Sequence, residues 1–315
     1  MKNLLALAVL TTASVGAEEA EELTLSELLA RFNWDFDATE IITEEVGDGL
    51  YVLFGVGGNI AASVGEQGVL IVDNMFPEMI PKVQAAIKAV GGDGIDFAVN
   101  THWHFDHAEG NLAVGPAGTW IVAHEQSAQM MASSNPINLV ITTYRQQAYP
   151  PDARPVITYE DRMRFHFNGA PIDLIHAGPA HTAGDTAVIF REHNAVHFGD
   201  VFNNAGYPFI DVDSGGGVNG MIRFCETILA EIGDDGIVIP GHGPVTDAAA
   251  LKAYIDMLKT VRGRVLAMME EGKSLLEIVS ARPTTDFDAT YGPEMNSLGF
   301  VDRVYTSLKR DAASQ

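Results

Sequence analysis

The segment Thr101-His102-Trp103-His104-Phe105-Asp106-His107 constrains this chain more than any other, because it sets three of the ten histidines and one aspartate within six residues. It follows Phe97-Ala98-Val99-Asn100, whose apolar character reads as a short strand. In extended backbone, residues two apart project to the same side, so His102 and His104 can face one metal ion. Asp106 and His107 are adjacent and diverge, which suits a second ion. Imidazole nitrogen and carboxylate oxygen are donors that zinc accepts, and no thiolate takes part. A motif at the exit of a strand is well placed for chemistry.

The rest of the chain supplies a scaffold. Short β-rich runs at Leu50 to Phe54, Ile60 to Val64 and Val69 to Val72 are separated by glycines, and a helix from about Met79 to Val90 follows. The second half repeats the logic. Strands are expected at Met163 to Phe167, Ile172 to Ile175, Ala187 to Phe190, Ala195 to Phe198 and Gly236 to Ile239, with a helix at Val218 to Ile232. Two halves of this kind predict an α+β fold of the αββα sandwich type, with two mixed β-sheets face to face and helices outside. Residues 246 to 272 read as a long helix, and the tail from Leu275 to Leu308 as further helices packed on the sandwich. The expected division is a signal peptide at 1–17, an N-terminal extension at 18–48, a core at 49–245 and C-terminal helices at 246–315.

The signal peptide rests on Met1-Lys2-Asn3, the apolar run Leu4 to Leu10 and the small residues Val15-Gly16-Ala17, with cleavage after Ala17. Thr11, Thr12 and Ser14 interrupt the run too early for a spanning helix. The expected location is periplasmic or secreted, with no membrane anchor after cleavage. A lone cysteine, Cys225, forms no internal disulfide and falls in a helical pattern that buries it. Nineteen basic against forty-two acidic residues give a net charge of −23, which repels nucleic acid and anionic lipid and leaves a small-molecule substrate as the expected partner.

The 101–107 segment matches His-x-His-x-Asp-His after a strand, and in this the chain resembles the metallo-β-lactamase superfamily. The resemblance implies a third histidine for the first metal, matched by His181 in Gly178-Pro179-Ala180-His181-Thr182-Ala183-Gly184-Asp185. It implies a bridging ligand, matched by Asp200 in His197-Phe198-Gly199-Asp200, and a last ligand, matched by His242 in Pro240-Gly241-His242-Gly243-Pro244. By that carry-over His102, His104 and His181 hold one zinc, Asp106, His107 and His242 a second, and Asp200 bridges the two Zn2+. Asp73 resembles the family's early aspartate that supports the ligand loop, and Thr182 is expected to partner a ligand imidazole. His124, His166, His176, His193 and His197 have no place in the motif, and His197 is expected to be exposed.

The implied chemistry is attack of a metal-bound hydroxide on an ester, thioester, lactone or amide, with Asp106 or Asp200 handling the proton. Familiar β-lactamases of one subclass place cysteine where Asp200 stands, so Asp200 is closer to the glyoxalase II and lactonase-like branches. No Lys or Arg lies between Arg191 and Arg223 to clamp a β-lactam carboxylate. The loop from Phe202 to Gly217, with Asn203 and Tyr207, is a candidate pocket wall, as is a second loop from Ser133 to Pro155. The rival readings are a β-lactamase proper, an enzyme like the mononuclear-iron persulfide dioxygenases, and a non-catalytic metal-binding protein.

Overall fold

The computed structural model describes residues 21–292 and 294–314. The signal-peptide reading therefore lies outside the described residues. Seven strands form one sheet in the spatial order Ile157–Tyr159, Trp120–His124, Phe97–Asn100, Gly68–Val72, Ile60–Gly65, Leu50–Phe54, Ile42–Gly47. Six form a second, in the order Arg162–Phe167, Ala170–Ile175, Ala187–Phe190, Ala195–His197, Ile237–Ile239, Thr246–Asp247. Both sheets mix parallel and antiparallel pairs, as expected.

Side-chain alternation explains why the sheets stack. Leu70 and Val72 point into a core shared with Leu174, Val188, Phe190 and Ile239 of the second sheet. Their neighbours Val69 and Ile71 point outward, onto Val83 and Ile87 of the helix Ile80–Ala89. All four are fully buried, so the run is apolar without interruption, as in a strand covered on both faces. The second sheet repeats this with Ile189, Val196 and Val238 turned toward the helices Val218–Ile232 and Ala248–Glu270. Each such side chain contributes about 1.5–3 kcal/mol by burial. The layers are thus helix, sheet, sheet, helix. Phe300, Val301, Val304 and Leu308 of the helix Glu294–Ala313 join the same outer core. Cys225 is buried there, and burial pushes its thiol pKa up. No helix among the described residues is long and apolar enough to cross a membrane.

Four details differ from the sequence reading. Ile42–Gly47, placed in the N-terminal extension, is an edge strand of the first sheet. Thr246–Asp247 is a strand, and the long helix begins at Ala248 with the Asp247 carboxylate accepting from the Ala250 N–H. The stretch from Ser133 to Pro155 is not one loop. Its strands Asn135–Asn138 and Thr142–Gln146 form a third, small sheet with Glu21–Leu23, burying Thr142, Tyr144 and Gln146 on one face. His197 is fully buried rather than exposed, because the opposite sheet covers its face. Its Nε2 donates to the Asn59 carbonyl at 2.9 Å and its Nδ1 accepts from the Gly199 N–H at 3.1 Å, which satisfies the ring in its neutral form.

Arg164 and Asp173 face each other across neighbouring strands, and Arg191 binds the same carboxylate. Hydrogen bonds from Arg164 hold the Asp173 carboxyl below the usual carboxylate range, with Arg191 adding to the effect. Asp173→Asn should cost about 1–3 kcal/mol in urea unfolding near neutral pH. A carboxyl with a lowered folded pKa stabilises above its unfolded pKa and loses that contribution as pH falls through the folded value. The gap between the two proteins should therefore close below about pH 4, and a gap that ignores pH would contradict the assignment.

Candidate metal centre

Asp73 lies where the strand Gly68–Val72 ends, in the left-handed backbone region at φ 63°, a conformation that Asp tolerates better than most residues. Its carboxylate is fully buried and reaches the neighbouring parallel strand. One oxygen accepts from the Thr101 N–H at 2.7 Å; the other accepts from the Thr101 hydroxyl at 2.8 Å and from His107 Nδ1 at 2.7 Å. The 101–107 segment is thereby pinned at the exit of Phe97–Asn100, and Phe105–Ala108 winds into a single helical turn. His107 donates from Nδ1 to Asp73, so its Nε2 lone pair faces the cavity.

Two further imidazoles are oriented in the same manner. His104 Nε2 lies 2.9 Å from Asp211 Oδ2, which turns Nδ1 inward, 2.9 Å from His181 Nε2. His181 Nδ1 donates to the Phe209 carbonyl at 2.8 Å. His102 Nε2 is buried without a hydrogen-bond partner. Three groups of donor atoms result, each lying within 4.8 Å of one another: His102, His104 and His181; His102, His107 and Asp200; Asp106, His107 and His242. Asp200 stands between the first and last. Its Oδ1 is 3.0 Å from His107 Nε2 and 3.4 Å from His242 Nε2, and its Oδ2 is 3.8 Å from His181 Nε2. Asp106 Oδ2 lies 3.2 Å from His242 Nε2.

The electrostatics fit metal ligation. Burial, helped by the neighbouring imidazoles, holds His102 well below the usual histidine range, and burial with His104 brings His181 down to about 4. Both therefore offer lone pairs at neutral pH. At His107 and His242, burial is outweighed by the carboxylates, Asp200 foremost, which raise His107 well above its usual value and His242 to about 10. The acids thus demand positive charge between His107 and His242, whose Nε2 atoms approach to 3.2 Å. Protons or a divalent cation supply it. An orphaned buried nitrogen, converging imidazoles and an all nitrogen and oxygen donor set fit zinc or iron.

The structure brings together all seven expected ligand residues. Asp73 lies beside them, bonded to Thr101 and His107. Thr182 does not touch an imidazole: its hydroxyl and N–H bind Asp185, which braces the turn carrying His181. Asn203 folds back on its own turn, accepting from the Ala205 N–H, and Tyr207 lines a large cavity described below. Asp211, the Phe209 carbonyl and Asn59 were not foreseen. Asn59 donates to the carbonyls of Pro240 at 2.9 Å and Gly243 at 2.8 Å, holding the loop that carries His242. Glycine is required beside several ligands: a Cβ at Gly58 would overlap the His107 ring, one at Gly241 would overlap Asp200 and the Gly199 backbone, and one at Gly216 would overlap the His181 carbonyl. The glycine-rich stretch Gly55 to Gly58 was a local signal for the first of these.

Asp73→Asn and Asp211→Asn should each weaken metal affinity about 10–100-fold in competition titration with a chelator, since each removes an orienting partner of a ligand imidazole. Gly58→Ala should weaken it at least as much. Unchanged affinity in all three would mean that these contacts do not order the site.

Comparison with known proteins agrees with this geometry. A sequence profile described as the metallo-beta-lactamase superfamily matches residues 52–262. The α subunit of a 2,4-dinitroanisole O-demethylase from Nocardioides sp. is 24% identical over 149 residues, 46% of this chain and 42% of that one. The lactamase-like protein aptB of Emericella nidulans is 25% identical over 185 residues, 57% of this chain and 49% of that one. The matches thus span less than half the length of either relative. Among solved structures, the stereoselective inverting sec-alkylsulfatase Pisa1 from Pseudomonas sp. is similar over 85% of this chain and 50% of its own, at 16% identity and a TM-score of 0.62. A metallo-beta-lactamase from Pontibacter korlensis is similar over 70% of this chain and 99% of its own, at 16% identity and a TM-score of 0.57.

Proposed function

The chain belongs to the metallo-β-lactamase superfamily, and on that premise we propose that it is a binuclear zinc hydrolase cleaving an ester, thioester, lactone or amide bond in a small molecule. The observation that carries the proposal is the placement of Asp200, one oxygen toward His107 and His242 and the other toward His181. A carboxylate so placed links two donor triads, so each of two ions would be held by the three residues of its own triad and by the shared Asp200. Two cations held there would supply Lewis acidity and would make water acidic enough to act as a nucleophile near neutral pH.

The chain's own residues divide the work. His102, His104 and His181 hold one ion, Asp106, His107 and His242 the other, and Asp73, Asp211 and the Phe209 carbonyl fix which nitrogen each oriented imidazole presents. Asp106 retains some contact with solvent, so its carboxylate is positioned to take a proton and pass it to the leaving group. Phe209 lies against His104 and His181 at centroid distances of 6.1 and 5.8 Å, an apolar wall that excludes water and strengthens the local field. The absence of Lys and Arg between Arg191 and Arg223 ranks β-lactams below uncharged esters and lactones as substrates. The apolar N-terminal run supports export with cleavage after Ala17 and a periplasmic or secreted mature protein.

Protein purified without added metal should contain two zinc ions per chain by elemental analysis; a single iron would sink the two-zinc assignment. A panel of lactones, thioesters, aryl esters and cephalosporins should reveal hydrolysis that a chelator abolishes and zinc restores. Asp106→Ala should lower kcat about 10²–10⁴-fold while the circular dichroism spectrum is retained. No turnover of any member by zinc-loaded protein would refute the hydrolase reading.

A further inference from the structure

A cavity of about 920 Å³ opens beside the metal centre, and Phe209 belongs to both. Its walls come from distant parts of the chain: the helix Leu25–Phe32, the turn at Leu139 to Thr142, the segment Tyr207 to Phe209, and the helices Leu275–Ser280 and Glu294–Ala313. The volume lies near the upper end of small-molecule sites, roughly 300–1,000 Å³. The interior is apolar, with Leu139, Val279, Phe209 and Phe300 among its lining. Several of its polar groups are already engaged. The Tyr207 hydroxyl donates to Asp288 at 2.8 Å, the Ser274 hydroxyl closes a helix cap with Glu277, and Asp302 binds Arg303. Apart from the Arg31 guanidinium at its wall, the cavity offers a polar ligand few partners.

Two observations point to a ligand in this space. Phe32, Ile141 and Leu276, at 45%, 67% and 76% exposure, are three of the six exposed large apolar side chains among the described residues, and all three line this one cavity. Gly299 lies inside the helix Glu294–Ala313, where glycine is unfavourable. A Cβ there would meet nothing nearer than Val140 Cγ2 at 3.8 Å. Close packing therefore does not require this glycine, in contrast to helical Gly220, whose Cβ would overlap the Pro179 carbonyl. Glycine at 299 leaves the space beside Val140 open.

We propose that this cavity binds the aliphatic chain of the substrate, so that the enzyme acts on medium- to long-chain acyl or alkyl compounds whose scissile group lies at the metal centre. The proposal rests on the hydrolase reading for its catalytic half, and Phe209 is the residue that the cavity and the metal centre have in common. Its carbonyl orients His181 while its ring lines the cavity, so one residue couples chain binding to the metal site.

The test uses zinc-loaded full chain with p-nitrophenyl esters from acetyl to dodecanoyl, together with fluorescence titration by cis-parinaric acid, which needs no turnover. Specificity, kcat/KM, should rise up to about fourfold per added methylene and then level off as the chain fills the cavity. Gly299→Leu should abolish most of that rise, leave the acetyl ester unchanged, and weaken parinaric acid binding at least fivefold. Ile141→Glu with Leu276→Glu, at exposed positions, should do the same. A flat chain-length series in an active enzyme overturns the proposal. So does probe binding that is absent or indifferent to both variants. If no p-nitrophenyl ester is turned over, the probe titration alone decides the cavity, and the hydrolase reading falls only if the lactones, thioesters and cephalosporins are also left intact.

Discussion

The centre depends on one buried carboxylate. Asp73 has no access to solvent, yet it accepts three hydrogen bonds, two from Thr101 and one from His107. A buried charge with fewer partners would cost several kcal/mol, so the ends of two adjacent parallel strands are locked in the arrangement that satisfies it. With Thr101 fixed, the next residues must turn out of the sheet. The His102 and His104 rings then pack edge to face at 4.8 Å, and His107 swings under them. Asp73 also holds the proton of His107 on Nδ1, which decides the atom offered to a metal.

The second sheet completes what the first begins, and the two are joined by polar contacts as well as apolar packing. Asn59 is central here. Its carbonyl accepts from His197, its N–H donates to the Gly241 carbonyl at 2.7 Å, and its side-chain amide holds the loop around His242. A residue at the start of a strand in one sheet thus sets the height of two loops from the other. A one-residue slip in strands buried on both faces would exchange side chains between two closely packed cores and break this fit, so these contacts form in one alignment. Asp200 then lies between the two histidine groups because its loop follows His197 directly and the neighbouring backbone leaves room for nothing larger than glycine at 241.

The helices added after the second sheet have a different role. They bury the outer face of that sheet through Leu251, Tyr254, Leu258, Val304 and Leu308, and together with the small three-stranded sheet they frame the apolar cavity. Phe209 and Asp211 sit on the segment between Asp200 and the helix Val218–Ile232, and this segment faces the metal centre on one side and the cavity on the other. Metal ligation and substrate-chain recognition therefore share one loop. A change in that loop would act on both.

Local spacing determined much of this protein. The layered sheets follow from short apolar runs bounded by glycines and from helical patterns, and His102, His104, Asp106 and His107 were legible because all four lie within six residues. His181, Asp200 and His242 were legible only by resemblance, since each stands alone in its own turn. Asp211 and the Phe209 carbonyl were not legible at all: the His104 to Asp211 contact spans 107 positions, and a carbonyl carries no side-chain signature. His197 and the strands between Ser133 and Pro155 were misread for a related reason. A polar residue on a strand is exposed or buried according to what covers it, and the covering sheet or partner strand is distant in sequence. Sequence alone therefore settled which residues have the right chemistry for a site of this kind. Tertiary structure decided which atoms face one another, because orientation is imposed by hydrogen bonds and packing between segments that meet only when the sheets close.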